Sequence, residues 1–372
     1  MNRYYFKANF KIAIKSKKNF LLVCLLIISM TFFLFVVETQ KIGDGYRQWR
    51  DYYESVQVNE DYFDSSSLRK KDYKQTYANL CKQSAYIAVL QNGEEFSEPQ
   101  TYLKGSENLI ETMLDGYKNN YKGAKTLNVP PKYELYQKLA TYKYLYQHHV
   151  PVVMNSKASS TYLVYILSML GSLIFLYILF ISNDVWILKL RHSSLLKNIP
   201  YRNKDEISGK TTINIVLTII PVLIGIIAAY IFAGVRNGFV TLNYPNVFYF
   251  NKIFAIPLWA YCLLFLVYVV LLVLFTTSLT LFLNQLTKNV YLTTLIGTLV
   301  YAISYLPGTI SKYLFWLPSS YLNITNVFNG TVANTTELNF LNCCTGALIL
   351  MIWSLIFMSC FSYLVNKGRR VR

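Results

Sequence analysis

Charged residues are absent from this chain over stretches longer than a soluble core helix needs. Six mainly apolar runs stand out: Phe20–Val37, Ala158–Asn183, Thr211–Val235, Ile253–Thr287, Asn289–Ser311 and Leu338–Asn366. About 20 helical residues cross the hydrocarbon core of a bilayer. In lipid every backbone polar group must be bonded within its own segment, so each run predicts a transmembrane helix. Short alternating strands, the mark of an outer-membrane barrel, do not occur. The expected fold class is therefore an all-α integral membrane protein with six transmembrane helices and cytoplasmic N- and C-termini. Ile253–Thr287 exceeds one crossing by about ten residues, which fits a single tilted helix with interfacial ends. Pro221 and Gly225 allow a kink in the third span, and Pro307–Gly308 ends the fifth.

The polar stretches divide the chain further. Residues 1–19 place Arg3, Lys7, Lys11, Lys15 and Lys18 at three- and four-residue intervals, one stripe of a helix lying at the cytoplasmic interface. Span one covers 20–37. Residues 38–157 form an extracellular domain between the first two spans, large enough for a modest core. Its helical patterns are Tyr73–Gln91, Ser106–Asp115 and Lys132–His149, the last opening after Pro130–Pro131. Tyrosine is dense there, with Tyr133, Tyr136, Tyr142, Tyr144 and Tyr146 on one helix. Both packing at headgroup level and a substrate-contact surface fit this pattern. Residues 158–366 hold spans two to six, with a loop at 184–210 and an extracellular loop at 308–337. Within that second loop, Tyr313–Gly330 is too apolar for an external connection and too interrupted to span, so it is expected to be re-entrant and buried in protein. Asn323, Asn329 and Asn334 each begin an N-x-T triplet, which in a Thr/Asn-rich loop is read as chance. Residues 367–372 are a basic cytoplasmic tail.

The formal charge of +17 changes meaning once mapped onto this topology. Nearly all of it, +14, falls in the four short cytoplasmic pieces, whereas 38–157 carries 16 Lys/Arg against 15 Asp/Glu. Basic residues concentrated on one side set membrane orientation, and anionic lipid headgroups are their counter-charge. A nucleic-acid partner is disfavoured because no folded basic surface exists to carry one. Five of six cysteines lie in spans, and Cys81 alone falls in the domain, so no intrachain disulfide is expected there. No spacing suggests a metal site. Gly209-Lys210-Thr211 ends like a phosphate-binding loop, but Lys204 stands where the pattern needs Gly. No nucleophile elbow, zinc motif or intramembrane charge appears, so no catalytic residue is proposed and the chain binds no cofactor of its own.

The segment Trp186–Thr211 differs from a plain connector. It carries six Lys/Arg (Lys189, Arg191, Lys197, Arg202, Lys204, Lys210) against Asp205 and Glu206, and an apolar group of Leu190, Leu195, Leu196 and Ile199. An amphipathic cytoplasmic loop pinned between two spans suits a push delivered by another protein.

The ordered set of motifs resembles the membrane subunits of ABC-2 type ABC transporters. The basic helix before span one looks like that family's interfacial helix. RHSSLLKNIPYRNKDEISGK resembles its cytoplasmic signature, with Ile199, Pro200, Arg202 and Lys210 at or near the matching places. WLPSSYLNITNVFNG resembles its P-x-x-Y re-entrant hairpin, with Pro318 and Tyr321 in register and Trp316 beside them. The large domain after span one departs from many members. The resemblance implies a permease subunit of the bacterial plasma membrane, paired with a second permease subunit and seated on a cytoplasmic ABC ATPase that binds ATP and Mg²⁺. A coupling helix at about Arg191–Tyr201 would sit in the ATPase, anchored by Leu195, Leu196 and Ile199 and oriented by Arg191, Lys197 and Arg202. Cargo would be amphiphilic: a peptide, a lipid-like molecule or an antimicrobial compound, exported or cleared. Two other readings stay open, an ABC-type sensor or mechanotransmission subunit and a polytopic scaffold or enzyme using the extracellular domain.

Overall fold

The structure, a computed structural model, describes residues 3–40, 45–64, 69–96, 98–153, 157–191 and 203–370. It opens with α1 (Arg3–Lys15), which breaks at Ser16 and continues into α2 (Lys17–Thr39). Four helices of a hydrophilic domain follow: α3 (Gly45–Asp61), α4 (Lys71–Glu95), α5 (Pro99–Gly116) and α6 (Lys132–Gln147). The apolar bundle then takes α7 (Ser159–Ser182), the short α8 (Ile187–Arg191) and α9 (Asn203–Asn237). An antiparallel hairpin, β1 (Pro245–Tyr249) with β2 (Ile253–Pro257), leads into α10 (Leu258–Thr287) and α11 (Val290–Ala302). Two short helices, α12 (Ile324–Phe328) and α13 (Thr331–Thr336), precede α14 (Cys343–Arg370).

Five of these helices, α2, α7, α9, α10 and α14, are long and apolar enough to cross a membrane. Their helical state follows from runs of apolar residues free of charge. Their arrangement follows from which helix buries most. α10 is central, with Phe265, Leu272, Val273 and Phe275 wholly buried, and it packs against α14, α7 and α9. The outer helices keep apolar faces turned outward, as Leu348, Ile352 and Leu355 of α14 do. In water such faces would be a liability; against lipid they cost nothing.

The hydrophilic domain has its own core. Leu80, Ile87 and Leu90 repeat at helical spacing along one face of α4 and meet Leu109, Ile110 and Met113 of α5. Gln83 lies on that same buried face and is satisfied there. Its oxygen accepts from Tyr52 Oη at 2.5 Å, and its Nε2 donates to Asn79 Oδ1 at 2.7 Å and Tyr121 Oη at 3.1 Å. A buried amide whose partners are all in place fixes a single packing instead of penalising it.

Several sequence-based boundaries are corrected. Ile253–Pro257, expected as the start of a tilted helix, is strand β2. Asn251 turns the chain in the left-handed region, β-branched Ile253 and Ile256 suit a strand, and Pro257 caps the helix that follows. The fifth apolar run is not one helix: α11 ends at Ala302 and passes into a 3₁₀ turn, Ile303–Tyr305, because Leu306 is held extended before Pro307, and only the single turn Gly308–Ser311 follows. The last helix begins at Cys343, not Leu338, where Asn342 Oδ1 accepts from the Cys344 and Thr345 backbone N–H groups at 2.9 and 3.2 Å. α9 begins at Asn203, so Asn203–Lys210 is helix rather than loop, and Asp205 and Glu206 complement its positive N-terminus.

Candidate functional site

Two regions gather the residues singled out by sequence, one at an end of the bundle and one within it. Of the eight loop residues, Leu195, Leu196, Lys197, Ile199, Pro200 and Arg202 lie outside the described residues, and Arg191 closes α8. Lys210 is placed in full. It sits one helical turn after Glu206, whose carboxylate is buried at 6 % exposure. Lys210 Nζ reaches Glu206 Oε1 at 2.9 Å and donates to the Val185 carbonyl at 2.5 Å. Lys189 of α8 grips the other carboxylate oxygen, and its Nζ lies 4.5 Å over the Trp186 ring. Trp186 in turn donates from Nε1 to Gln285 Oε1 of α10 at 3.0 Å and stands edge-on to Phe361 of α14 at 4.9 Å. Leu281, Val185, Leu190 and Ile207 fill the space around it.

Both roots of the segment 184–210 are thus fastened to α9, α10 and α14. The neighbouring α7 terminus is fastened as well. Lys18 pairs with Asp184 at 2.8 Å and donates to Asn183 Oδ1 at 3.0 Å, while Asn183 Nδ2 donates to Thr294 of α11 at 3.0 Å. A buried carboxylate held by two ammonium groups under an indole face resists being pulled apart, because either charge left alone would be desolvated without a partner. Trp186, Lys189 and Glu206 are the residues that sequence reasoning passed over as individuals. The available signal was an acid four residues before Lys210, one of only two within a basic stretch.

The second region lies inside the bundle. Pro318 and Tyr321 are buried in a 3₁₀ turn, and Trp316 beside them is half-exposed. The Trp316 ring stacks on Trp353 at 6.0 Å, and Trp353 Nε1 donates to the Trp316 carbonyl at 3.0 Å. Trp353 is ten residues into α14, about 15 Å along it. Tyr321 packs on Gly346 of α14, and its carbonyl accepts from Tyr268 Oη of α10 at 3.0 Å. α12 continues at the same depth. Thr325 Oγ1 donates to the Ser168 carbonyl of α7 at 2.6 Å and lies where a Cβ on Gly171 would stand, 2.4 Å away. Phe328 enters a nest of Phe248, Tyr261 and Tyr268 with ring centroids 5.3–5.4 Å apart. Irregular backbone at the middle of apolar helices is thereby bonded to and packed on α7, α10 and α14. The Tyr321 hydroxyl and Ser319 Oγ are buried here with no hydrogen-bond partner among the described residues.

Among the described residues no group of His, Cys, Asp or Glu could hold a metal ion, and all six cysteines are free. The three N-x-T asparagines differ. Asn323 is buried and caps α12, the Asn329 side chain accepts from Thr331, and Asn334 is exposed. No family model, curated protein or solved structure matches this chain.

Proposed function

We propose that this chain is the membrane subunit of an ATP-driven transporter of the ABC-2 type, working with a second such subunit in the plasma membrane and moving an amphiphilic cargo. ATP and Mg²⁺ would belong to a separate cytoplasmic ATPase docked on the segment 184–210. The observation that carries this reading is the clasp of Trp186, Lys189, Glu206 and Lys210 with Gln285 and Phe361. A connector with no mechanical task has no need of an ion triad around a buried carboxylate, tied to three long helices. A loop that must hand a rigid-body displacement to the bundle does.

Six crossings are supported by sidedness. α10 ends beside Trp186, yet α14 starts where Asn342 Nδ2 donates to Asn251 of the hairpin, at the domain end. The chain between must therefore return along the bundle. α11 and its 3₁₀ turn supply about 24 Å of that path over 16 residues. The test is purification in nanodiscs from the native membrane. A nucleotide-binding subunit of roughly 250 residues is expected at near-equal amounts, with ATPase activity, and it is expected to be lost in Leu196→Asp/Ile199→Asp. A chain that arrives alone and keeps its function alone overturns the reading.

A further inference from the structure

A half-open cleft of about 540 Å³ lies at the seam between the hydrophilic domain and the bundle, on the side away from the clasp. Its walls are α6, the turn of the β-hairpin and the residues around α13. The hairpin works as a wedge with two faces. Phe248 turns towards Phe328 in the bundle at 5.3 Å, while Tyr249 and Ile253, paired across the strands and so sharing the other face, line the cleft beneath α6. The seam is held independently of any ligand, since Tyr133 Oη and Gln137 Nε2 of α6 both donate to the Asn329 carbonyl, the latter at 3.1 Å.

The lining is polarised. Leu139, Ala140 and Ile253 give it an apolar floor. At the rim stand Lys143, Lys252, Asn334 and Asn251, and among the described residues no carboxylate lines it. Lys143 is shared with Glu111 at 3.1 Å and Glu107 at 3.8 Å. Lys252, exposed at the hairpin tip, forms no ion pair among the described residues. The Asn251 oxygen is taken by Asn342 Nδ2 at 2.8 Å, so Asn251 offers the cleft its amide N–H₂ group. Ammonium and amide donors over an apolar floor suit an anion with several acceptor oxygens attached to methylenes. The volume takes a headgroup and the first few methylenes of a chain, not a whole lipid. Phe250, Phe254 and Trp259, all exposed nearby in sequence, give this level the aromatic character of a membrane interface.

We infer that this cleft binds the phosphate-bearing headgroup of an anionic lipid or lipid-like amphiphile, with Lys252 as the principal charge and Leu139, Ala140 and Ile253 receiving the proximal chain. The site does not depend on the ATP-driven reading, and its assay needs no ATPase. The full chain in a neutral maltoside is titrated with dihexanoyl phosphatidic acid below its micellar concentration, and binding is followed by thermophoresis. Dihexanoyl phosphatidylcholine and inorganic phosphate are titrated in parallel arms. The expected result is saturable binding of the phosphatidic acid and at least about tenfold weaker binding of both comparators. Lys252→Glu is expected to weaken the phosphatidic acid by about tenfold and Lys252→Arg to hold it within about threefold. Ala140→Trp, which fills the floor, is expected to abolish it. Thermal unfolding of Lys252→Glu at the wild-type temperature shows that the exposed tip has not disturbed the fold. Equal binding by wild type, Lys252→Glu and Ala140→Trp overturns the site. Equal binding of phosphatidylcholine overturns the role of charge, and equal binding of inorganic phosphate overturns the amphiphile.

Discussion

Lys138 of α6 sits against the core of the hydrophilic domain with its Nζ buried, without a hydrogen-bond partner among the described residues, 5.0 Å over the Trp49 ring. Burial pushes its pKa below the ordinary lysine range, and the Glu134 carboxylate one turn earlier pulls partly back. The folded chain therefore holds this proton less firmly than the unfolded chain does. Between the depressed folded-state value and the ordinary range the unfolded state binds more protons, so stability contributed by this group rises as pH climbs through that window. Lys138→Met keeps the length and removes the charge. It should raise stability at neutral pH by about 1 kcal/mol, the gain from desolvation exceeding the lost cation–π contact. Thermal melts of the full chain from pH 7 to 10 check both points: the advantage of Lys138→Met should shrink towards high pH. A gap that stays constant would mean that packing, not charge, sets the difference. Glu206 is the opposite case, a buried charge with two partners. Glu206→Gln leaves Lys189 and Lys210 facing each other beside Trp186 and should cost about 2 kcal/mol, discounted for the partial exposure of both lysines. Chemical denaturation of the purified chain measures it, and an unchanged midpoint would remove the clasp from the argument. Neither assembly was legible residue by residue. The sequence pattern marks Glu206 and Lys210 as an i, i+4 pair, but Trp186, Gln285 and Phe361 come together only through the packing of three helices.

Elements were legible where one physical signal ruled. Helices α4, α5 and α6 follow from stretches free of Gly–Pro interruption and from the Pro130–Pro131 start, and the long apolar helices follow from their missing charges. α3 carries a weaker signal, because Gly43, Asp44 and Gly45 resemble a loop and its residues up to Asp61 are largely polar, with apolar Trp49, Tyr52 and Val56 buried at helical spacing beside the polar Asn59. The hairpin was hidden for the reverse reason: its second strand is as apolar as the helix it leads into, so hydropathy runs unbroken from Ile253 into α10. Its position is nevertheless tightly specified. Gly330, just before α13, has φ +77°, and a Cβ there would stand 2.4 Å from the Tyr249 ring. Tyr249 Oη also donates to the Asn339 carbonyl at 2.8 Å. Gly330→Ala should therefore strain the turn and push the hairpin from α13, at a cost of about 2 kcal/mol. Amide exchange of Pro245–Pro257 should quicken while that of α4 and α5 stays unchanged. Uniform loosening across both domains would show that the hairpin is not a separate wedge.

At the scale of the whole molecule, the clasp and the seam cleft stand at opposite ends of one bundle, and the buried segment Pro318–Phe328 occupies the depth between them. Glu38 of α2 meets Arg236 of α9 at 2.9 Å, so the end nearest the hydrophilic domain also has an ion pair holding neighbouring helices together. Such an arrangement links the ends mechanically only if the chain crosses the bilayer as the charge map implies, with Lys288 and the clasp on one side and Lys252, Lys312 and the α3–α6 domain on the other. Lys312 pairs with Glu337 at the surface at 3.1 Å, and Lys288 is exposed in a turn that already holds a side chain at positive φ, so each can be exchanged for cysteine with little cost. Lys252→Cys and Lys312→Cys, in a background lacking the native cysteines, should react with a membrane-impermeant maleimide in intact cells. Lys288→Cys should react only after permeabilisation. Labelling of Lys312→Cys from the same side as Lys288→Cys would mean that α11 turns back before crossing. The segment containing Pro318 and Tyr321 would then reach the bundle from the clasp side, and a loop re-entering from the domain side would no longer describe it.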